Sequence, residues 1–211
     1  MNKMKVGYCT VGPLQTNCYL AMNTGTGEVL IIDPGASAAA IMRVILEMGG
    51  KPVAILLTHG HFDHVMAVQD LKMHYKDIPV IACLEEKKCF EDPRMNLSAD
   101  FMNGSCDIQP DRYLKPEERC SLASFDMVCL HTPGHTPGSC CYYFPAEDVV
   151  FSGDTLFRES AGRTDFKGGS SSDMRRSLRR LMDELPACTD VFPGHDRQTT
   201  IQHEKEYNPF V

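Results

Sequence analysis

Thr58-His59-Gly60-His61-Phe62-Asp63-His64 follows directly on the aliphatic run at residues 53–57, and this junction decides how the chain folds. An unbroken aliphatic run of that length is the pattern of a strand buried on both faces, so the polar cluster begins where a covered sheet ends. Four potential metal ligands, His59, His61, Asp63 and His64, fall within six positions. A loop at a strand end gains nothing structural from clustered imidazoles unless something binds them. Neutral imidazole suits zinc, iron and related ions, and a carboxylate adds a harder oxygen donor. In an extended or loosely wound loop, His59 and His61 can face one ion while Asp63 and His64 turn towards another.

Three later fragments repeat one grammar of strand, tight turn and ligand-type residue: Thr132-Pro133-Gly134-His135, Ser152-Gly153-Asp154 and Phe192-Pro193-Gly194-His195. A strand end is a rigid mount, and the flanking glycine or proline permits a sharp exit. Any one of these residues alone would be read as a turn cap or a satisfied core group. Together, seven donors from four strand ends suffice for two ions. His74, His131 and His203 lack the grammar, and His131 is expected to be a buried, hydrogen-bonded histidine.

Outward from this cluster, residues 6–11, 18–22 and 28–32 are β-prone, the last stopping at the turn signature Asp33-Pro34-Gly35. Ile41, Val44, Ile45 and Met48 recur at helical spacing, predicting an amphipathic helix over 36–49 closed by Gly49-Gly50. A second helix is expected over 65–75 and a short strand over 80–82. Residues 91–119, interrupted by Pro93, Pro110 and Pro116, are irregular and read as a surface excursion, a lid or a dimer contact. Strands return at 127–131, 139–144 and 149–151. A helix over 172–184 follows the cap-rich run Ser170-Ser171-Ser172-Asp173, and a last strand covers 190–192. Strands alternating with helices, then hairpin-like strands, then helix and strand again imply a layered α/β fold with mixed sheets.

At 211 residues the chain fits one domain, 1–211, and its 43% hydrophobic content can build a full core. The net charge of -7 argues against a nucleic-acid groove, although a metal site brings its own local positive charge. No apolar run is long enough to span a membrane and no signal peptide is evident, so a cytoplasmic protein with no membrane partner is expected. The 10 cysteines contain no Cys-x-x-Cys pair, and are expected to be reduced, mostly buried thiols. The expected assembly is a monomer or a homodimer.

The pattern His59-x-His61-x-Asp63-His64, followed by His135, Asp154 and His195 at strand ends, resembles the metallo-β-lactamase superfamily across essentially the whole chain. That resemblance implies a four-layer αββα sandwich with a dinuclear site along one edge of the sheets. It implies one ion held by His59, His61 and His135, a second by Asp63, His64 and His195, and Asp154 bridging both. The cofactors are two divalent metal ions, zinc first, with iron or manganese also accommodated by such donors. Two such ions, less Asp63, Asp154 and a bridging hydroxide, leave about +1 at the site. The carboxylates Asp63 and Asp154 are therefore the expected catalytic groups, and the hydroxide the nucleophile. Asp33 resembles the family's structural aspartate, either orienting the first ligands or capping its own turn.

Within the superfamily, Asp154 stands at a bridging position where β-lactamases of the zinc type have no aspartate, which disfavours antibiotic hydrolysis as the native activity. Gln15-Thr16-Asn17-Cys18-Tyr19, Ser152-Gly153-Asp154-Thr155-Leu156-Phe157, Gly162-Arg163-Thr164-Asp165-Phe166 and the closing Asn208-Pro209-Phe210 are similar to glyoxalase II, especially its short bacterial relatives. That family hydrolyses acyl thioesters such as S-lactoylglutathione, a small-molecule substrate. Arg163 lies where full-length glyoxalase II has a basic residue meeting the glutathione carboxylate; the alternative is a surface salt bridge. The C-terminal helical domain of the full-length enzymes has no counterpart, which separates thioester hydrolysis from glutathione specificity. Iron-dependent persulfide dioxygenases also carry a Gly-Arg-Thr-Asp-Phe segment and would use His59, His135 and Asp154. Hydrolysis of another ester or a lactone, and a metal-binding domain without turnover, complete the alternatives.

Overall fold

Period-two alternation in the strands sorts their apolar side chains into separate cores. In the computed structural model, which describes residues 3–76, 78–102 and 105–211, two six-stranded sheets carry this sorting. The first contains β1 (Met4–Val11), β2 (Thr16–Asn23), β3 (Glu28–Ile32), β4 (Lys51–Leu57), β5 (Val80–Cys83) and β6 (Arg112–Leu114) in that order. Its first three strands are antiparallel, and β3 to β6 run parallel. The second begins with β7 (Arg119–Leu122), β8 (Phe125–His131), β9 (Cys140–Phe144) and β10 (Val149–Gly153), an antiparallel meander. A small ribbon of β11 (Leu156–Phe157) and β12 (Ser160–Ala161) follows. Then β13 (Asp190–Pro193) pairs parallel to β10, and β14 (Thr199–Thr200) closes the edge.

Helices α1 (Ala38–Met48), α2 (Phe62–Val65) and α3 (Val68–His74) follow the parallel strands. Helices α4 (Lys87–Glu91) and α5 (Ser98–Phe101) are single turns, and α6 (Ser171–Glu184) and α7 (Ile201–Tyr207) come last. Along β2, Cys18, Leu20 and Met22 join Ile41 and Ile45 of α1 and Leu71 of α3 in one core. The alternate residues Tyr19 and Ala21 face Phe125, Tyr142 and Phe151 between the sheets. A third core packs Val128, Leu130 and Val191 against Leu178 and Leu181 of α6 and Ile201 of α7. Three cores separate four layers, helix–sheet–sheet–helix, as expected. The vicinal cysteines obey the same rule, Cys140 lying between the sheets and Cys141 on the helix side. All ten cysteines are free and six are buried.

The helix expected over 65–75 is broken. The Ala67 N–H donates to the carbonyl of Pro34 at 2.9 Å, and this bond from outside the helix divides α2 from α3. The 36–49 helix closes as expected on Gly49, whose φ of 69° lets its N–H reach the carbonyls of Ile45 and Leu46. Ser170 caps α6 by accepting from the Asp173 N–H at 3.3 Å. Strands β6, β7 and β14 and helix α7 have no counterpart among the sequence-based expectations. Residues 103 and 104, within the irregular stretch, lie outside the described residues. No helix among the described residues is long and apolar enough to cross a membrane.

Phe151 is fully buried between the sheets, with the rings of Tyr19, Phe144 and Phe192 at 5.4 to 5.8 Å. Replacing it with alanine is expected to lower stability by about 3–5 kcal/mol, read from urea denaturation. A loss below about 1 kcal/mol, the size of a surface substitution, would show that the inter-sheet core is not packed as described.

Candidate metal centre

Each donor leaves the end of a strand. Asp33 follows β3, the loop from Thr58 to His64 follows β4, and His135, Asp154 and His195 follow β8, β10 and β13. The structure brings all seven sequence-predicted donors together, along with Asp33. Donor atoms of His59, His61 and His135 lie within 4.8 Å of one another, as do those of Asp63, His64 and His195. Asp154 touches both groups. Its Oδ2 is 3.4 Å from His135 Nε2 and 3.5 Å from His195 Nε2, while Oδ1 is 3.4 Å from His64 Nε2.

These residues fit metal ions. Adjacent donors such as His61 Nδ1 and His135 Nε2, at 2.8 Å, and His64 Nε2 and His195 Nε2, at 3.4 Å, are nitrogens with no need to meet each other. Donors about 3.3 Å apart are what a tetrahedral ion with bonds of 2.0–2.1 Å requires. His59 Nε2 and Asp154 Oδ1 are buried without a hydrogen-bond partner, a costly state for a protein unless something coordinates them.

Electrostatics point the same way. Burial, with His64 and His61 close by, pushes the His59 imidazole well below its usual range. Burial and His135 do the same to His61, so both present the neutral ring that binds metal. Burial opposes charge on His64, but Asp154, Asp63 and Asp33 raise it to about 10. Burial likewise works against the Asp63 carboxylate, yet His64 and His195 hold it below the ordinary carboxylate range. The two carboxylates thus favour positive charge at the centre of the cluster.

Outer hydrogen bonds aim the rings. Asp33, 2% exposed, accepts from the Thr58 N–H at 2.8 Å, the Thr58 hydroxyl at 2.6 Å and His64 Nδ1 at 3.0 Å. Its side chain bonds to Thr58 and His64, beyond its own turn. His135 Nδ1 donates to the Arg163 carbonyl at 2.7 Å, leaving Nε2 for the site. The Thr16 hydroxyl donates to Asp63 Oδ2 at 2.9 Å. Asn17 Nδ2 and the Tyr19 hydroxyl both donate to the Pro193 carbonyl, holding the turn that carries His195. In that turn Gly194 allows close approach, since a Cβ there would fall 2.3 Å from Asp154 Oδ1.

Sequence reasoning missed Glu86. It is 1% exposed and accepts from the Gly60 N–H at 2.8 Å, the Thr136 hydroxyl at 2.8 Å and the Gly138 N–H at 2.9 Å. One carboxylate therefore joins the His59–His64 loop to the His135 turn. Burial pushes its carboxyl up to about 7 despite those donors. A lone Glu in the pair Glu85-Glu86 carries no signal that could have found it.

The Arg163 side chain reaches the site's pocket wall, but its guanidinium makes two 2.7 Å bonds to Asp165 and lies 4.1 Å above the Phe166 ring. His131 is half-buried and bonded to the Pro137 carbonyl. His203 pairs with Glu159, and His74 is exposed beside Tyr75. None of the three joins the cluster. A cavity of about 480 Å³ opens over His61, Asp63, His135, Asp154 and His195.

The family model described as "Metallo-beta-lactamase superfamily" matches residues 11–195. Hydroxyacylglutathione hydrolase GloC of Haemophilus influenzae is 34% identical over 210 residues, 99% of this chain and 98% of that protein. The solved structure of BLEG-1, described as a B3 metallo-beta-lactamase, aligns with a TM-score of 0.90 and 38% identity over 98% of this chain and 99% of that one. A di-iron-bound structure of TTHA1623 aligns with a TM-score of 0.85 and 38% identity, covering 97% of this chain and all of that one.

Asp33→Ala removes the common acceptor of Thr58 and His64. It is expected to weaken metal retention by about 10–100-fold, measured by competition with a chromogenic chelator. Retention equal to that of the unaltered protein would mean that the ligand loop is aimed by other contacts.

Proposed function

The chain belongs to the metallo-beta-lactamase superfamily as a metallo-hydrolase with a dinuclear metal site, and on that premise we propose that it is a thioesterase of the glyoxalase II type. In this reading His59, His61 and His135 would hold one ion and Asp63, His64 and His195 the other, with Asp154 placed between the two sets. Zinc is the first choice of metal, and the di-iron-bound form of the similar protein TTHA1623 supports iron as the alternative. Two ions held there would supply Lewis acidity, the chemistry a hydrolase needs to activate water and substrate at neutral pH.

The observation that carries the thioester is what the pocket does not offer. Apart from the donors, its titratable lining side chains among the described residues are Arg163, committed to Asp165, and the exposed Asp196 at the 196–198 loop. Among the described residues, no buried acid other than the donors Asp63 and Asp154 lines the pocket to protonate a poor leaving group. A thiolate leaves without such help, whereas an alkoxide or amine leaving group depends on a proton donor. The chain's residues then have defined tasks. Thr16 fixes the Asp63 carboxylate, Asp33 fixes His64, and the Arg163 carbonyl fixes the His135 tautomer. GloC, which this chain matches over 98% of its length, supports the same chemistry in a protein of this size.

Metal-replete protein is expected to hydrolyse S-D-lactoylglutathione, followed by loss of thioester absorbance. Asp154→Ala should reduce turnover by more than the 10–100-fold typical of outer partners, and His61→Ala should lose bound metal. No turnover of any thioester by metal-loaded protein would overturn the reading. Oxygen uptake with glutathione persulfide would replace it with a dioxygenase, and β-lactam cleavage with the activity in BLEG-1's description.

A further inference from the structure

The cavity over the donors is walled by Leu14, Phe62, Leu97, Phe101, Phe157 and Phe166. Three of these rings stand directly against the site. Phe166 meets His61 edge-on at 5.7 Å, Phe157 meets His195 at 6.0 Å, and Phe62 precedes the donor Asp63. Leu14 and Phe101, from separate segments, are 49% and 61% exposed, leaving apolar surface open to water at the pocket. Single exposed apolar residues are ordinary, but several lining one cavity mark a binding surface.

The stretch at 92–102 is held in place to build this wall. Asn96, 1% exposed, accepts from the Ser98 N–H through its side chain, donates from Nδ2 to the Cys106 carbonyl, and accepts from the Phe62 N–H through its own carbonyl. The Phe101 ring stacks on Phe62 at 5.7 Å with an 11° interplanar angle. Leu97 adopts φ 64°, a left-handed conformation that a bulky side chain rarely takes, so tertiary contacts hold this turn in place.

Charge completes the case. Among the described residues, Arg163 is the one lysine or arginine lining the cavity, and Asp165 binds it through both carboxylate oxygens. The rim adds a further anion, Asp196. A peptide carrier with two carboxylates finds no free cation there, and setting its charges against phenylalanine rings is unfavourable.

We propose that this site selects its substrate through an apolar acyl chain, the chain lying along Phe62, Leu97 and Phe101, with the thiol carrier contributing little. This rests on the thioesterase reading above and specifies its substrate class. Leu97 and Phe101, from the stretch that the sequence left as a surface excursion, a lid or a dimer contact, form part of this acyl wall.

The test crosses acyl length with carrier, measuring kcat/KM of metal-replete protein on acetyl, butanoyl and octanoyl thioesters of glutathione and of the uncharged N-acetylcysteamine. Octanoyl esters are expected to exceed acetyl esters by about tenfold or more on both carriers, the scale set by added methylenes in an apolar pocket. Phe101→Ser, at an exposed position that leaves the core intact, should collapse the octanoyl-to-acetyl ratio. Titration calorimetry with the non-hydrolysable S-octyl and S-ethyl thioethers of N-acetylcysteamine should show tighter binding of the octyl compound, with or without metal. A flat response to chain length, or preference for glutathione whatever the acyl group, overturns this proposal and leaves the thioesterase standing. If no thioester is cleaved, the thioesterase reading falls and this proposal falls with it.

Discussion

A single buried carboxylate, Asp33, governs the geometry at the end of the first sheet. Its oxygens take the Thr58 amide, the Thr58 hydroxyl and His64 Nδ1 within 3.0 Å, almost out of contact with solvent. A carboxylate in such a place is tolerated because its acceptor sites are filled. In return it fixes where the loop after β4 begins and which nitrogen of His64 faces inward. The backbone shares the constraint, Asp33 itself standing at φ 50°.

Glu86 performs the corresponding task across the gap between the sheets. Asp33 works within the first sheet, tying the end of β3 to the end of β4. Glu86, from the 3-10 turn after β5, joins the ligand loop to the turn after β8 in the second sheet. Asn17 and Tyr19 do likewise for the turn after β13. Donors mounted on four separate strand ends stay within 4.8 Å of one another in each group, because these polar ties are buried and nearly saturated. Rigid strands give position, and the ties give orientation.

The donors were legible in the sequence because each is announced locally, by a strand followed by a Gly or Pro turn and a ligand-type residue. The layers were legible because both-face burial leaves unbroken aliphatic runs such as residues 53–57. What stayed hidden is non-local. Glu86 meets Thr136 from fifty positions away, and Thr16 meets Asp63 from forty-seven, so neither bond leaves a pattern in a short window. The break between α2 and α3 is hidden for the same reason, since it depends on the Pro34 carbonyl. Arg163 drew notice for its side chain, while its contribution to the donors is a main-chain carbonyl that any residue possesses. The part around Asn96 left no pattern because tertiary contacts to Phe62 and Cys106 organise it.

Donors from both sheets converge on one cluster, and this gives the ions a part in assembly. His59, His61, Asp63 and His64 belong to the first half of the chain, whereas His135, Asp154 and His195 belong to the second. No half can present a complete set, and Asp154 meets partners from both. Metal affinity is then contingent on docking of the two sheets, and the free energy of coordination becomes free energy of cohesion between them. Ions held there would act as rivets as well as reagents: a motion that parted the sheets would release them, and their occupancy would record whether the halves are joined.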